Sequence, residues 1–454
     1  MMRRRSFLKS AAAASAAGLV ASSGMAQAAR KRNVVLFVTD DQGTDHAGCY
    51  GADWLRTPGF DRVAENGVRM NNAFCTTPSC SASRSVILTG MHNHANGQYG
   101  HEHSVHHFKS FEDVKGLPVL LSEAGYRTMS AGKYHVAPES TYRFDHRVGG
   151  KSPEEMATKC RDFMAADDED PFFLYFCTSE PHRPFRRGDA TPVSPDDVEV
   201  PDYLPDIPEC REELAQYAMS LERADKGLVS ILNTLKETGH WDDTLIIAIS
   251  DNGIAFPGAK TAMYEPGVRL PCAMRNPMGD ARNDECNALV TWADITPTIL
   301  DYAGVAVGRK QFHGRSFLGA VEEENPSGWD EVYLSHTFHE VTMYYPVRVV
   351  RERKYKLTWN IAHALAFPFA SDLYASPTWQ AVLRNGSEHY GKRTVDAYLH
   401  RPKFELYDLE NDPDELHNLA EDSAHAKTLA RMQAKLKAFQ ERTKDPWLLK
   451  WEYE

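Results

Sequence analysis

A cysteine and an arginine flank a run of small residues at positions 80–84 (CSASR), and this pattern suits the binding of an anion. The apolar residues 86–88 follow, which predicts a loop entering a helix with Cys80 near the positive N-terminal end. An anion held there would also meet the guanidinium of Arg84. The pattern alone fits a buried structural cysteine equally well, because free thiols commonly pack in protein cores.

Two pairs of oxygen-bearing side chains each follow an apolar run that predicts a buried strand. NVVLFVT leads into Asp40 and Asp41, and LIIAIS leads into Asp251 and Asn252. Parallel strands end at one edge of an α/β sheet, where ligands bind. Adjacent carboxylates repel each other unless a cation joins them, and oxygen ligands favour Ca²⁺ or Mg²⁺ over Zn²⁺. The first pair alone could be solvated loop acids, but the second pair favours a metal site.

Two histidines and two lysines follow further predicted strands or the second acid pair. Lys133 and His135 come after YRTMSA, and His182 comes after FFLYF. Both strands should end at the same edge as the acid pairs, which makes the two histidines candidates for acid–base chemistry. A single histidine is more often structural. Lys260, taken alone, is more simply a solvated surface lysine.

The residues around Cys80 resemble the signature of the sulfatase family: Cys or Ser, any residue, Pro or Ala, any residue, Arg, an apolar pair and Thr-Gly. In that family the cysteine is oxidised after translation to formylglycine, an aldehyde whose hydrate is the nucleophile. The resemblance implies that a formylglycine-generating maturation enzyme modifies Cys80. The family usually has Pro where this chain has Ala82. The alanine form occurs among bacterial sulfatases, so the difference bears on which maturation enzyme recognises the site.

The resemblance also implies a role for each candidate residue. A calcium ion would be held by Asp40, Asp41, Asp251, Asn252 and the modified residue 80. Positive charge toward the sulfate would come from Arg84, Lys133 and Lys260. His182 would protonate the departing amine or hydroxyl. His135 would help remove a proton from the hydrated aldehyde, so that sulfate leaves and the aldehyde is restored.

Three further stretches narrow the resemblance to the sulfamidase branch of the family, which acts on the N-sulfate of glucosamine: HANGQYG at 94–100, VHHF at 105–108 and HEVTMYYP at 339–346. The expected substrate is the terminal N-sulfoglucosamine of heparan sulfate or heparin-type glycans. The resemblance implies that His339 and Glu340 line the sugar pocket, and local capping or pairing is the alternative for both residues.

Other functions stay open at this point. One is removal of another sulfate, such as the 6-O-sulfate of glucosamine or a sulfate of an algal glycan, on the same machinery. A phosphatase or phosphodiesterase of the wider superfamily is another, although such enzymes normally use Ser or Thr and zinc. The third is a sulfatase-like protein that keeps its thiol and binds sulfated glycans without cleaving them.

The leader and the charge of the chain bear on its location and partners. Residues 1–29 contain RRRSFLK, a weakly apolar core and AQA, which together indicate a signal for the twin-arginine export machinery. The segment is too short and alanine-rich to favour a membrane anchor, so we expect a periplasmic or secreted protein without a membrane span after signal removal.

The net charge of −12 counts against a nucleic-acid partner. Because screening acts over about 8 Å, a local basic pocket can still hold one terminal sulfated sugar.

The fold expected from these patterns and from the resemblance is α/β, the alkaline-phosphatase-like sulfatase fold. Residues 30–328 would form the catalytic domain, a large and mostly parallel sheet flanked by helices. A polar stretch containing Pro326 and Gly328 predicts a boundary. Residues 329–454 would form a C-terminal α+β subdomain, a small antiparallel sheet with a helix, that contributes to the substrate pocket. The resemblance further suggests a homodimer.

Overall fold

The computed structural model describes residues 32–166, 170–282, 284–306, 308 and 311–453. The export signal predicted for residues 1–29 lies outside the described residues. Residues 31–454 form one compact unit, and the predicted division after residue 328 stays a prediction. Among the described residues, every helix is too short or too polar to cross a bilayer.

The main sheet is built around the strands Asn33–Thr39, Phe172–Cys177 and Thr244–Ser250, which are buried along their whole length. Its strands are β1 (Asn33–Thr39), β2 (Val68–Phe74), β3 (Arg127–Gly132), β4 (His146–Val148), β5 (Phe172–Cys177), β6 (Thr244–Ser250), β7 (Cys272–Arg275) and β8 (Asp284–Thr291). Within the described residues the sheet has eight strands in the order β4-β3-β5-β1-β6-β7-β2-β8. Pairing is parallel except where β7 runs antiparallel to β6 and β2. The predicted mostly parallel sheet is confirmed.

Apolar side chains cover both faces of this sheet. Alternate residues of β1 contribute to two separate cores: Val34 and Leu36 pack in one, and Val35 and Phe37 pack in the other. This alternation explains why the strand reads as a continuous apolar run in the sequence.

The helices are α1 (Pro58–Glu65), α2 (Cys80–Thr89), α3 (Asn93–Asn96), α4 (Leu117–Glu123), α5 (Pro153–Ala165), α6 (Pro208–Glu237), α7 (Glu265–Val268), α8 (Ile295–Ala303), α9 (Ser371–Tyr374), α10 (Pro377–Asn385), α11 (Val395–Leu399) and α12 (Ala426–Thr443).

The C-terminal part adds a smaller sheet. The strands of this part are β9 (Glu331–Phe338), β10 (Tyr344–Glu352), β11 (Tyr355–Asn360), β12 (His389–Tyr390), β13 (Arg393–Thr394) and β14 (Phe404–Asp408), of which β12 and β13 pair only with each other. Four of them form an antiparallel sheet in the order β14-β11-β10-β9. The helix α12 packs on this sheet through an apolar cluster that joins Met432 and Leu436 to Val350 and Leu357. The predicted antiparallel sheet with a closing helix is confirmed.

The register of the main sheet brings the ends of four strands together. Thr39 of β1 pairs with Ser250 of β6, and Gly132 of β3 pairs with Cys177 of β5. The strands β1 and β5 are also parallel neighbours. Since parallel strands end at one edge, the residues that follow β1, β3, β5 and β6 must converge there.

Candidate active site

Cys80 is the first residue of α2, as the sequence predicts, and it is completely buried. Its Sγ lies 3.7 Å from Oδ1 of Asp41, so its surroundings are charged rather than apolar. Burial raises the pKa of the Cys80 thiol well above its ordinary value, although Lys133 and Lys260 act in the opposite direction. The thiol is therefore neutral and poorly suited to act as a nucleophile in this form.

The acid pairs that follow β1 and β6 converge beside Cys80. The backbone N–H of Asp41 donates to Oδ1 of Asp251 at 3.1 Å, and Nδ2 of Asn252 donates to Oδ1 of Asp41 at 2.5 Å. One ligand atom from each of Asp40, Asp41, Cys80 and Asp251 lies within 4.8 Å of all the others. Asp41 has a φ of 73°, in the left-handed region that non-glycine residues rarely adopt. Such backbone strain is typical of functional sites.

This cluster fits a hard metal ion. Among the described residues, Oδ1 of Asn252 is buried without a hydrogen-bond partner, and Oδ1 of Asp40 makes no hydrogen bond and has only the guanidinium of Arg84 nearby, at 3.5 Å. Buried oxygen atoms without a partner are costly, so each unpaired one calls for an explanation such as a bound ion. Carboxylate and amide oxygens are the ligands that Ca²⁺ and Mg²⁺ prefer. The donor set therefore suits the predicted metal.

Three cations neutralise the three carboxylates. Each donates a hydrogen bond to one of them: Arg84 Nε to Asp251 Oδ2 at 2.9 Å, Lys133 Nζ to Asp40 Oδ2 at 2.5 Å, and Lys260 Nζ to Asp41 Oδ2 at 3.0 Å. Burial by itself raises the pKa of Asp40, but Lys133 and the other nearby cations outweigh burial and hold that pKa well below its usual range. All three predicted cationic residues thus lie at the predicted metal cluster.

Lys260 is fully buried, so it is not the solvated lysine of the simplest sequence interpretation. Its Nζ also lies 2.9 Å from Oδ2 of Asp372 and 3.0 Å from Nε2 of His182. Burial alone would raise the pKa of Asp372, but Lys260 and His182 lower it to about 2. Asp372 lies in α9, far along the chain from the other site residues, and sequence reasoning missed it. No strand or motif precedes Asp372 that could have indicated its position.

The hydrogen bonds of His182 define its protonation. Its Nδ1 lies 2.5 Å from the carbonyl oxygen of Arg183 and its Nε2 faces Lys260. A carbonyl can only accept and an ammonium can only donate, so the ring carries its proton on Nδ1 and is neutral. Burial and Lys260 lower the pKa of His182, although Asp41 acts in the opposite direction.

His135 has a φ of 53°, in the left-handed region. Its Nε2 is 2.7 Å from Nδ1 of His103. Burial and the neighbouring Lys133 hold the pKa of His135 well below its ordinary value, so the ring is neutral. A neutral imidazole can accept a proton. His103 was missed by sequence reasoning, and the high density of histidines in residues 101–107 (HEHSVHH) is the signal that could have found it.

The loop between β9 and β10 brings the C-terminal part to the site. His339 is buried, with Nδ1 2.9 Å from Oγ of Ser79 and Nε2 3.0 Å from Nε2 of His101. The carboxylate of Glu340 instead accepts hydrogen bonds from the backbone N–H and the hydroxyl of Ser371, at 2.8 and 2.7 Å. His339 thus touches the residue before Cys80, and Glu340 holds the start of α9.

Comparison with known proteins agrees with this arrangement. A family model described as Sulfatase matches residues 32–305. A second, described as the C-terminal part of N-sulphoglucosamine sulphohydrolase, matches residues 258–382. A solved structure of a protein in complex with its substrate D-glucosamine-2-N,6-O-disulfate has the same fold, with a TM-score of 0.70 and 20% identity over 92% of this chain and 99% of that one.

Two curated relatives extend the comparison. An ulvan-active sulfatase of Formosa agariphila is 26% identical over 86% of this chain and 76% of its own length. The human N-sulphoglucosamine sulphohydrolase is 37% identical over 92% of each chain. A family model that covers more than half of the chain, and a relative this similar along nearly its whole length, establish that the chain belongs to the sulfatase family.

Proposed function

We propose that this sulfatase hydrolyses the N-sulfate of terminal N-sulfoglucosamine in heparan sulfate or heparin-type glycans. The 37% identity to a human protein named for that activity supports the assignment. The proposal rests mainly on the range of residues that the second family model matches. It spans residues 258–382, and this range contains Lys260, His339 and Asp372, which enclose Cys80 and its neighbours.

Two groups that the family requires fit the residues of this chain. We assign the nucleophile to formylglycine made from Cys80, whose hydrated aldehyde supplies the attacking oxygen. The neutral state of the thiol supports a need for this conversion. Calcium would be held by Asp40, Asp41, Asp251, Asn252 and the modified residue 80. When bound, the ion supplies positive charge to the sulfate oxygens and to the attacking group.

The remaining chemistry falls to side chains of this chain. The buried cations Arg84, Lys133 and Lys260 would orient and stabilise the sulfate group. His182 would deliver a proton to the departing nitrogen from Nε2, the atom that faces Lys260. Because burial lowers the pKa of His182, its protonated form is populated on the acidic side, and turnover should fall as the pH rises. His135, which is neutral, would accept the proton that allows sulfate to leave.

The test is sulfate release from disaccharides that end in either N-sulfated or 6-O-sulfated glucosamine. The enzyme is first checked by mass spectrometry for formylglycine at position 80. We expect release from the N-sulfated end and none from Cys80→Ala protein, which should fold normally because only one small side chain is shortened. Turnover by Cys80→Ala would refute the formylglycine assignment.

A second candidate is an exo-acting O-sulfatase. It is favoured by the ligand of the structural relative, which carries a 6-O-sulfate as well as an N-sulfate, and by the algal glycan named in the Formosa relative. Release from only the 6-O-sulfated disaccharide, or from only ulvan fragments, would replace the N-sulfatase assignment. The proposed nucleophile and metal ligands would be unaffected by that result.

We further propose that the protein is modified by a maturation enzyme, exported by the twin-arginine machinery and located in the periplasm or outside the cell. Cell fractionation of the wild type and of a variant with Arg4 and Arg5 replaced by lysine tests the export route. Retention of the variant in the cytoplasm supports it. The suggested homodimer is tested by light scattering on the purified protein.

A further inference from the structure

Three histidines form a compact triangle beside the proposed calcium centre. The ring centroids of His101, His103 and His135 are separated by 4.8, 4.9 and 4.7 Å. One nitrogen from each ring lies within 4.8 Å of the other two. His135 has a role in the proposed reaction, whereas His101 and His103 have none.

The triangle has nearly the dimensions of a three-histidine metal site. Zinc–nitrogen bonds of about 2.0–2.1 Å at tetrahedral angles place the ligating nitrogens about 3.3 Å apart. Nδ1 of His103 and Nε2 of His135 are 2.7 Å apart, so small side-chain rotations suffice to admit an ion. Burial lowers the pKa of all three imidazoles. Each ring can therefore bind a metal without first losing a proton.

The triangle is open to solvent at one histidine, and hydrogen bonds fix another in place. His103 is exposed and opens the triangle to solvent, whereas His101 is buried. His101 is held through Nε2 by His339, which is held in turn by Ser79. Contacts of this kind fix the orientation of metal-binding histidines. In the third histidine, His135, Nδ1 is buried without a hydrogen-bond partner among the described residues.

We propose that His101, His103 and His135 bind one transition-metal ion of the zinc class, and that this ion inhibits the enzyme by occupying His135. Imidazole nitrogens select zinc, copper and nickel, whereas the carboxylates beside Cys80 select calcium. Two neighbouring sites thus bind different ions because their donor atoms differ. The inhibition rests on the proposed function of His135, but the metal binding does not.

Zinc titration of tag-free protein saturated with calcium tests the binding. The Cys80→Ala variant is used, because it removes the thiol that lies in one cluster with Asp40, Asp41 and Asp251 and could bind zinc there. Competition with a chromophoric chelator should give one Zn²⁺ per chain. His103→Asn in the same background should weaken the affinity about tenfold or more.

The matched control is His107→Asn. His107 is an exposed histidine of the same loop outside the triangle, and asparagine tolerates its φ of 52°. We expect the control to bind zinc as tightly as the parent. The metal site is overturned if no saturable zinc binding is found, or if the His103 and His107 variants bind zinc equally.

A separate assay tests the inhibition. In the active enzyme, Zn²⁺ should suppress sulfate release, a chelator should restore it, and His103→Asn should need about tenfold more zinc for the same effect. Zinc binding that depends on His103 but leaves turnover unchanged overturns the inhibitory part. If no offered substrate releases sulfate, the proposed function fails, while the titration still decides whether the metal site exists.

Discussion

Lys260 illustrates how closely the residues of this site depend on one another. A lysine ammonium has three hydrogens to donate and accepts none. Asp41, His182 and Asp372 lie 3.0, 3.0 and 2.9 Å from its Nζ, so all three are satisfied although the side chain is fully buried. Changing any of these partners should alter the charge and position of the other groups.

Asp372→Asn should lower kcat/KM by about 10- to 100-fold, because it replaces a charged partner of the buried Lys260 by a neutral one, and hydrogen bonds between charged groups contribute about 1.5–3 kcal/mol. The carboxylate lies 3.8 Å from Nε2 of His182 and favours the imidazolium form. Its removal should lower the pKa of His182 further. The decline of kcat with rising pH should therefore shift to lower pH, which a pH–rate profile measures.

Asp396→Asn is the control for this change, because the Asp396 carboxylate is 85% exposed and pairs only with the nearby His400 in the described structure. It should leave both the rate and the pH profile unchanged. An Asp372→Asn enzyme with a wild-type pH profile would remove Asp372 from the proton chemistry, even if its rate were reduced.

The site residues found from sequence share one property, which is that most of them follow an apolar strand or open a helix. Asp40 and Asp251 are examples, because the end of a buried parallel strand is recognisable in the sequence and its position in the sheet is known. Asp372 has no such marker. It reaches Lys260 through the path of the chain between β11 and α9, and that path depends on tertiary packing rather than on local pattern.

At the level of elements, the β9–β10 loop and α9 act together. Glu340 in the loop accepts two hydrogen bonds from Ser371, the first residue of α9, and Asp372 is the next residue. The loop therefore positions Asp372 while His339 contacts Ser79. A substitution in this loop should affect the site through α9 as well as through any direct contact with the sugar.

Glu340→Ala should remove the acceptor of the Ser371 backbone N–H and loosen α9, at a cost of about 0.5–1.5 kcal/mol because this contact is exposed to water. Hydrogen exchange of peptides that contain residues 370–375 should become faster, and kcat/KM should fall. Ser371→Ala removes only the hydroxyl contact and should have a smaller effect on both. If Glu340→Ala reduced activity without changing the exchange, Glu340 would act by direct contact with substrate instead.

The prediction of elements succeeded where apolar runs are uninterrupted. The runs that predict strands at 33–39 and 245–250 correspond to β1 (Asn33–Thr39) and β6 (Thr244–Ser250). The strand β2 was not predicted, because Arg69, Asn71 and Asn72 interrupt its apolar pattern. Its position follows from pairing with β7 and β8, which no local pattern reveals.

For the whole molecule, one buried ion pair ties the C-terminal end to the small sheet. Arg348 of β10 donates to both carboxylate oxygens of Asp445, at 2.5 and 3.0 Å. Asp445 also accepts hydrogen bonds from Gln440 and from the backbone N–H of Trp447. Burial by itself raises the pKa of Asp445, but Arg348 outweighs it and holds that pKa well below its usual range.

Asp445→Asn should reduce the free energy of unfolding at pH 7 by about 3–5 kcal/mol, because Arg348 would remain buried without its counter-ion. A carboxyl group with a lowered folded-state pKa contributes its stability above its unfolded pKa of about 3.9 and loses it at lower pH. The difference between wild type and variant should therefore shrink as the pH falls below about 4. Urea unfolding at several pH values measures it.

The control is Asp330→Asn, which breaks the largely exposed pair with Arg353. Exposed pairs contribute about 0–1 kcal/mol, so this variant should unfold close to the wild type at every pH. Equal stability of the Asp330 and Asp445 variants at pH 7 would contradict the role of the buried pair.

The enclosure of Cys80 also sets an order of events during synthesis. Ser79 gains its contact with His339, and Lys260 its contact with Asp372, from segments that leave the ribosome long after α2. A growing chain thus presents its thiol before the groups that cover it exist. In the finished fold Cys80 has no exposed surface. Any enzyme that acts on this cysteine must therefore reach it before the chain has folded around it.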